Sequence, residues 1–329
     1  MKTYNWTSIQ KIIPKDGDIL IGHPHSNPFT IFKRSLNNNR WSRKIVIQPF
    51  NGDLEQMSHL YNVVDRCDEF IAICGTYWIK YINKSFLKIW KNKITQIDLG
   101  LYRKKYPFIK KRFNKIGKRK FLFIGNDYSY NNFAKNLSYL ELISKKSQIK
   151  NFATIGNKKV GDIKHFGWLD LSNKSSLKII SKYDFLIHTS NFDANPSTVL
   201  ESMSWGLIPV ITKECGYEGL NKNCYIPLKN VSSAVQKLNY LQNLEEKTLK
   251  KIQLENINLL EKKYSWQIFR KKIKKILEKP KKNKIIKYSK KQINIFEENK
   301  KKSNNYYLRK DILFSVIKSN IKMFIKKVF

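Results

Sequence analysis

Cysteines, acidic side chains and long apolar runs are all scarce in this sequence. The four cysteines form no close pair at metal-ligand spacing, so we expect neither a disulfide framework nor a zinc site, and a reducing cytosol is the default compartment. No segment reaches the ~18 uncharged apolar residues that span a bilayer, and residues 1–10 contain no apolar run of signal length. Secretion and membrane spanning are therefore both disfavoured.

Basic residues dominate the charged ones. There are 64 Lys and Arg residues against 25 Asp and Glu, a formal charge of +39, which makes nucleic acid or anionic lipid a candidate partner. No RNA- or DNA-binding signature accompanies this charge, and most aromatic residues fall on apolar runs that predict core, so no specific nucleic acid is expected. A basic nucleic-acid-binding protein remains the alternative from a different functional class.

Length and pattern predict two α/β domains. A chain of 329 residues, 41% of them hydrophobic, can build about two domains. Short β-branched and aromatic runs alternate with longer amphipathic segments, which predicts parallel sheets built from βαβ units. The predicted strands are 18–22, 44–48, 69–73, 94–97, 120–124, 151–155, 163–166, 184–188, 208–212 and 224–227, and the clearest predicted helices are 132–144, 174–182, 197–205 and 232–242.

Two basic stretches divide the chain. Residues 104–120 are dense in Lys and Arg and precede a fresh strand, so we predict a first domain at 1–112 and a second at 113–279. The remainder, 280–329, is predicted as a basic linker and an amphipathic helix: residues 279–310 have few apolar positions, which predicts a linker or weakly ordered arm. In residues 311–329 apolar side chains recur at helical spacing between lysines. Such a helix can lie on an anionic membrane or dock on the globular body, and the spacing fits both.

The segment 184–218 is the most informative one. A predicted strand runs into a polar turn, and Asn195-Pro196 looks like a helix start, with Asn as the cap and Pro at the first helical position. Free amides at Ser197 and Thr198 would then form an anion site suited to a diphosphate. Glu201 would lie on the same helical face, about 5.4 Å further along the axis.

A nucleotide fits this arrangement. The hydroxyls of a ribose could donate to Glu201, and Asp193 could accept hydrogen bonds from the group beyond the distal phosphate. The competing interpretation is structural, with Asp193 and Asn195 competing to cap the helix and Glu201 a solvated surface charge. The residues alone leave both interpretations open.

The same segment resembles the donor-binding signature of the retaining GT-B glycosyltransferases of family four. Asp193 and Glu201 are separated by seven residues and followed by Gly206 and a Pro-Val strand at 208–212. Further similarity to the family lies at 94–100, 120–125, 165–167, 216–218 and 264–266. The resemblance covers residues 18–278 and is strongest over 120–278.

The resemblance implies an α/β protein with the GT-B fold: two Rossmann-like, doubly wound parallel-sheet domains facing a cleft, here with a basic C-terminal helical tail. It implies a retaining hexosyltransferase that uses a nucleotide-diphosphate sugar, with Glu201 holding the ribose, the amides of Ser197 and Thr198 the pyrophosphate, and Asp193 the sugar hydroxyls. No metal cofactor is expected, because helix amides and basic side chains neutralise the leaving diphosphate. The basic arm and the terminal helix suggest in addition an acceptor that is a lipid-linked or cell-surface polysaccharide such as lipopolysaccharide, met at the cytoplasmic face of the plasma membrane through residues 311–329.

Three features depart from the family pattern. Asp193 stands where the family has Glu, and Asn126 and Asp127 stand where it has an Arg, with Lys135 the best match to the Lys that follows. The first half is also short and lacks the glycine-rich first loop of the family. A catalytically weakened glycosyltransferase-like protein therefore remains an alternative.

Histidines mark the predicted acceptor half. His23 and His25 follow the strand 18–22, where an imidazole could hydrogen-bond the transferred sugar or the acceptor, or simply be a satisfied polar residue. His188 could line the same cleft or cap a turn, and His59 is expected at the surface. The candidate catalytic residues are therefore Asp193, His23 and His25, and the candidate substrate-binding residues are Glu201, Ser197, Thr198, Asn195, Lys135, Gly125 and Gly216.

Overall fold

Two units make up the protein. In the computed structural model, which describes residues 2–5, 12–25, 30–127, 134–147, 149–280 and 285–307, the first unit comprises Met1–Ile73, Lys80–Gln96 and Lys279–Phe329. The second unit comprises Cys74–Ile79 and Ile97–Glu278. The units interleave along the chain, whereas the domains predicted as 1–112, 113–279 and 280–329 follow one another; these limits stay predictions.

Strands and helices alternate through most of the chain, as the sequence pattern predicts. The strands are β1 Ile19–Gly22, β2 Arg43–Pro49, β3 Glu69–Ile73, β4 Ile94–Ile97, β5 Phe121–Ile124, β6 Phe152–Ile155, β7 Lys164–His165, β8 Phe185–His188 and β9 Ile208–Ile211. The helices are α1 Ile31–Ser35, α2 Leu54–Met57, α3 Tyr61–Val64, α4 Thr76–Ile82, α5 Leu137–Lys146, α6 Lys174–Ile180, α7 Ser197–Trp205, α8 Val231–Asn243, α9 Glu246–Lys263, α10 Trp266–Glu278 and α11 Lys290–Tyr307.

The first sheet runs in the simple order β1-β2-β3-β4. β2 pairs in parallel with both β1 and β3. The strand β3 is almost wholly buried, as its continuous apolar run predicts for a strand that is covered on both faces. Each described strand lies beside the one that precedes it in the chain. The chain therefore crosses this sheet from one edge to the other without returning to place a strand on the opposite side of β1.

Helix α11 corrects the prediction of a linker or weakly ordered arm over 279–310. The ring of Phe296 is completely buried, stacked on Trp90 at 5.4 Å and on Tyr61 at 5.2 Å between centroids. The helix packs on α2 and on the 3-10 turn Ser58–Leu60. The prediction was wrong because it counted apolar residues within the segment, whereas the aromatic rings that stabilise the helix come from distant parts of the sequence.

The second sheet runs in the order β7-β6-β5-β8-β9, with every pair parallel. The chain enters at β5 in the middle, moves outward through β6 and β7, then returns to place β8 on the other side of β5. This is the strand order of a Rossmann-like sheet. The order in which strands are added across the sheet reverses between β5 and β8, although all strands stay parallel. The four strands β5, β6, β8 and β9 are buried at all positions, which places the core of the unit around them.

The prediction of a strand at 224–227 is wrong. Residues Lys222–Cys224 form a 3-10 turn that Asn221 caps, because its side chain accepts a hydrogen bond from the amide of Asn223 at 3.0 Å. Only an isolated bridge between Ile211 and Tyr225 remains of the predicted pairing. Pro227 has no N–H with which to extend that bridge into a ladder.

The basic stretch predicted to link the two halves packs within the second unit. The ammonium of Lys110 lies 2.8 Å from the carboxylate of Asp184, and both side chains are buried.

Among the described residues, no helix is both long and apolar enough to cross a bilayer. The helix predicted over 311–329 lies outside the described residues.

Candidate active site

The candidate site lies at the point where the second sheet reverses direction. β5 pairs with β6 on one side and with β8 on the other, so the connections from β5 and β8 leave adjacent strand ends in opposite directions. In open α/β sheets this is where ligands bind. Eight of the predicted site residues belong to the second unit, whereas His23 and His25 belong to the first.

The loop after β8 is held by hydrogen bonds on both sides. The hydroxyl of Thr189 donates to the carbonyls of Lys135 and Asn136, at 3.1 Å each. The amide of Asp193 donates to the hydroxyl of Ser190 at 2.7 Å, and the hydroxyl of Thr212 donates to the carbonyl of Ser190 at 2.6 Å. The position of Asp193 is therefore set by β9 as well as by the segment that precedes α5.

Asn195 does not cap the helix, contrary to the prediction. Its backbone is left-handed, with φ of 50°, and its side-chain oxygen accepts from the amide of Leu99 at 3.1 Å. Pro196, predicted at the first helical position, occupies the cap position instead, and α7 begins at Ser197. The left-handed turn is the reason, because it directs the side chain of Asn195 to Leu99 instead of to the first amides of the helix.

The first turn of α7 has no side-chain cap. The amide of Val199 donates to the carbonyl of Pro196 at 3.1 Å, while helix geometry gives the amides of Ser197 and Thr198 no partner within the helix. The hydroxyl oxygen of Thr198 is shielded from solvent and has no hydrogen-bond partner among the described residues. These groups can bind an anion at the positive end of the helix dipole.

Glu201 is buried, not solvated, which overturns the competing interpretation of this residue. It is 9% exposed, and its carboxylate accepts hydrogen bonds from the hydroxyls of Ser197 and Tyr106. Burial raises the pKa of Glu201 above its usual range, and the two hydroxyl donors partly oppose that rise. A carboxylate has about four acceptor positions, so two hydroxyl donors leave room for a ligand hydroxyl.

Asp193 and Lys135 form an ion pair next to Gly125. Burial would raise the pKa of Asp193, but the charge of Lys135 and the nearby imidazole of His188 outweigh it and hold the pKa well below the usual range. A Cβ added to Gly125 would lie 3.3 Å from Cδ of Lys135, so the glycine leaves space for the lysine chain. The structure thus brings together three residues that the sequence placed in the same site.

His188 lies completely buried behind Asp193. Its Nε2 is 3.4 Å from the carboxylate of Asp193, a long separation for a hydrogen bond, and its Nδ1 is 3.6 Å from the sulfur of Cys215. Burial lowers the pKa of His188 against the opposing effect of Asp193. Burial therefore favours the neutral form of this imidazole, which lies beside Asp193.

Sequence reasoning missed Tyr106 and Gly75. Gly216, with φ of 79°, lies beside Asn195 and packs so closely on Gly75 that a Cβ added to Gly75 would meet the carbonyl of Gly216. No local signal announced either residue: Tyr106 lies in the basic stretch predicted to be a link, and Gly75 follows a strand of the first sheet. A glycine two residues after the end of β3 does not by itself point to a site.

The histidines of the first unit differ from expectation in one respect. His23 and His25 follow β1 as predicted, and their rings lie 6.0 Å apart between centroids. His59 was expected at the surface, but its Nε2 is shielded from solvent. The expectation failed because α11, which packs on the turn that carries His59, was not predicted.

Two units of this kind, with parallel sheets of four and five strands, make up the GT-B fold. Comparison with solved structures shows that this chain has the GT-B fold. No family model matches the sequence, and no curated protein matches it. The chain is similar to a TarM G117R mutant from S. aureus in complex with fondaparinux, α-GlcNAc-glycerol and UDP, at 16% identity and a TM-score of 0.58 over 79% of this chain and 55% of that one. It thus spans little more than half of that protein.

Two further structures agree. A glycosyltransferase from Rickettsia africae matches at 16% identity and a TM-score of 0.55, over 80% of this chain and 78% of that one. A trehalose-6-phosphate structure from E. coli, bound with UDP-2-fluoro glucose, matches at 11% identity and a TM-score of 0.57, over 82% of this chain and 75% of that one. At these identities the likeness establishes the fold, and the chemistry has to be argued from the site.

Proposed function

We propose that the protein is a glycosyltransferase that takes a sugar from a nucleotide-diphosphate donor. The donor binds at the carboxyl ends of β5 and β8 in the second sheet. The observation that carries the proposal is the position of the buried Glu201 carboxylate one turn below the uncapped start of α7. An anion-binding helix start with a hydroxyl-binding carboxylate beneath it matches a diphosphate joined to a ribose. Solved structures of the same fold contain UDP or UDP-2-fluoro glucose, which supports a UDP-linked sugar as the first donor to test.

Each side chain has a distinct role in this proposal. The amides of Ser197 and Thr198 and the ammonium of Lys135 neutralise the leaving diphosphate. When Lys135 turns from Asp193 to the phosphate, Asp193 becomes available to accept hydrogen bonds from the hydroxyls of the sugar. The ribose donates to the acceptor positions of Glu201 that Ser197 and Tyr106 leave open.

Three finer points belong to the same proposal. Transfer proceeds with retention at the anomeric carbon, the acceptor is a lipid-linked or cell-surface polysaccharide, and no metal is required. The α-linked GlcNAc-glycerol bound by TarM supports a glycan acceptor. The anomeric configuration of the product, read by NMR, checks the stereochemistry.

A thermal-shift screen in excess EDTA tests the donor site. UDP-, GDP-, ADP- and CMP-linked sugars are compared on the wild type, on Glu201→Gln and on the control Glu278→Gln, whose side chain is exposed at the end of α10. A ligand that binds only the folded state raises the melting temperature. We expect one donor to do so for wild type and control, and its affinity to fall about tenfold or more in Glu201→Gln, because a charge-assisted hydrogen bond is worth about 1.5–3 kcal/mol.

The proposal fails if no donor shifts the wild type, or if Glu201→Gln binds the donor as well as the control does. A shift that appears only when EDTA is replaced by Mg²⁺ would contradict the metal-free mechanism alone.

A further inference from the structure

Basic side chains converge at the carboxyl end of the first sheet. His23 follows β1, and its ring hydrogen-bonds the backbone of Ile47 in the neighbouring strand β2. The ring of His25 meets that of His23 edge to face, at an interplanar angle of 75°. The backbone of His25 is left-handed, with φ of 43°, a conformation that costs energy in a residue other than glycine.

His59 joins this group from another element. Its Nδ1 lies 2.8 Å from the carbonyl of Gln56, which can only accept, so Nδ1 carries the proton and Nε2 is left for a second partner. That Nε2 is shielded from solvent and has no hydrogen-bond partner among the described residues. Buried polar atoms almost always have a partner, and an exception calls for an explanation such as a bound ligand.

Among the described residues, the groups whose charges act on His59 are basic. Lys33, on α1, has the largest electrostatic effect on it, followed by His23 and His25. Burial, with Lys33 as the next cause, lowers the pKa of His59 to about 3. Burial and then the neighbouring His23 lower the pKa of His25 to about 4.

Further cations surround Lys33. Burial, together with the charges of Lys300 on α11 and of Arg66, lowers the pKa of Lys33 to about 8. Lys300 itself lies 3.4 Å from the carboxylate of Glu297, three residues earlier on α11. The charges of Lys33, Lys300 and Arg66 therefore repel one another, a cost that an anion bound near Lys33 would relieve.

We propose that His23, His25, His59 and Lys33 form a binding site for a phosphate group. A phosphate carries nearly two negative charges near pH 7 and several acceptor oxygens, so it can pair with the ammonium and accept from imidazole N–H groups, while its hydroxyl can donate to the Nε2 of neutral His59. Only the next step rests on the proposed function: if the protein is a glycosyltransferase, this phosphate belongs to its acceptor.

Imidazole NMR on the full chain tests the site without any nucleotide sugar. The sequence contains 5 histidines, so the ring signals can be resolved and assigned by single His→Gln variants. The signals are titrated with pH in inorganic phosphate and in chloride of equal ionic strength. We expect phosphate to raise the pKa of His25 and of His59 by about one unit or more, which is a tenfold preference of phosphate for the protonated form.

The affinity for phosphate then depends on pH. Phosphate raises imidazole pKa values that are low in the free protein, so affinity for the phosphate monoanion increases below the pKa of the bound form. The affinity for phosphate decreases above pH 8 as Lys33 loses its charge. His165, which contacts Thr154 in the second unit, is the internal control, and its signal should not move.

Variants and alternative ligands sharpen the test. Lys33→Met should weaken phosphate binding tenfold or more, whereas Lys84→Met, an exposed lysine of the same unit, should leave it unchanged. A sugar phosphate that binds at lower concentration than inorganic phosphate identifies an ester as the source, and equal binding identifies the free ion. The site is refuted if His25 and His59 titrate alike in phosphate and chloride, or if neutral glucose moves their signals equally. Neither outcome depends on whether the thermal-shift screen finds a donor.

Discussion

The two sheets differ in how they create a place for a ligand. The second sheet reverses direction between β5 and β8, and its candidate site follows from that topology, with the amides of a helix start and the loop after β8 meeting at one point. The described strands of the first sheet simply follow one another, so their order provides no such point. There the basic groups come from separate elements, the end of β1, α1, the turn Ser58–Leu60 and α11. Topology supplies one site, and long-range packing supplies the other.

The first unit is completed by α11, a helix from a distant part of the sequence. The substitution with the largest expected effect tests whether this dependence is confined to the first unit. Phe296→Ala removes a ring that is stacked between Trp90 and Tyr61, and burial of such a ring is worth about 3–5 kcal/mol. We expect hydrogen exchange to show lost protection in peptides of the first unit and unchanged protection in the second. Ile293→Ala, on the same helix but 37% exposed, is the matched control. Equal loss of protection in both units would break the comparison.

A second substitution addresses the topological site. Lys135→Met removes the cation beside Asp193, and an unreplaced charged hydrogen bond to the donor diphosphate is worth about 1.5–3 kcal/mol, or about 10- to 150-fold in affinity. Calorimetric titration with the donor found in the thermal-shift screen measures the change. Lys150→Met, an exposed lysine of the same unit, should bind the donor normally. If both variants bind alike, Lys135 serves only to neutralise Asp193.

The smallest expected effect concerns the hydroxyl that contacts Glu201. Tyr106→Phe removes one donor to a buried carboxylate and should lower the stability of the second unit by about 0.5–1.5 kcal/mol. Burial raises the pKa of Glu201, and loss of this donor raises it further, because the donor favours the charged form. The destabilisation should therefore be present at neutral pH and diminish as the pH falls through that raised pKa. Chemical denaturation at several pH values checks this against Tyr102→Phe, and an effect independent of pH would count against it.

Local pattern was enough to predict most of the fold. The strands β3 and β4 and the helix α7 begin and end at the predicted residues, because β-branched and aromatic residues mark the strands and a polar turn precedes the helix. The helix α11 was missed because its stability depends on Trp90 and Tyr61, which no local window contains. The turn Lys222–Cys224 was missed because a single Asn cap outweighs the strand propensity of the residues around it.

The candidate site was predicted to a similar degree. Spacing placed Glu201 and Ser197 one turn apart, and the structure joins them by a hydrogen bond. The roles assigned to the site residues stay predictions. The partners Tyr106 and His59 required knowledge of which distant segments pack together, and the failed cap at Asn195 required knowledge of one backbone angle. Such facts arise from tertiary structure and have no counterpart in residue order.

The burial of Phe296 has a consequence for how the protein is made. On the ribosome, β1 emerges early, but the ring that closes the aromatic cluster of the same unit emerges only after the whole second unit has been translated. At a translation rate of about 5–20 residues per second, tens of seconds pass between the synthesis of Trp90 and that of Phe296, and during this interval Phe296 cannot stack on Trp90. The half of the molecule that is begun first is therefore finished last, and nascent chains in that interval present an aromatic surface to chaperones.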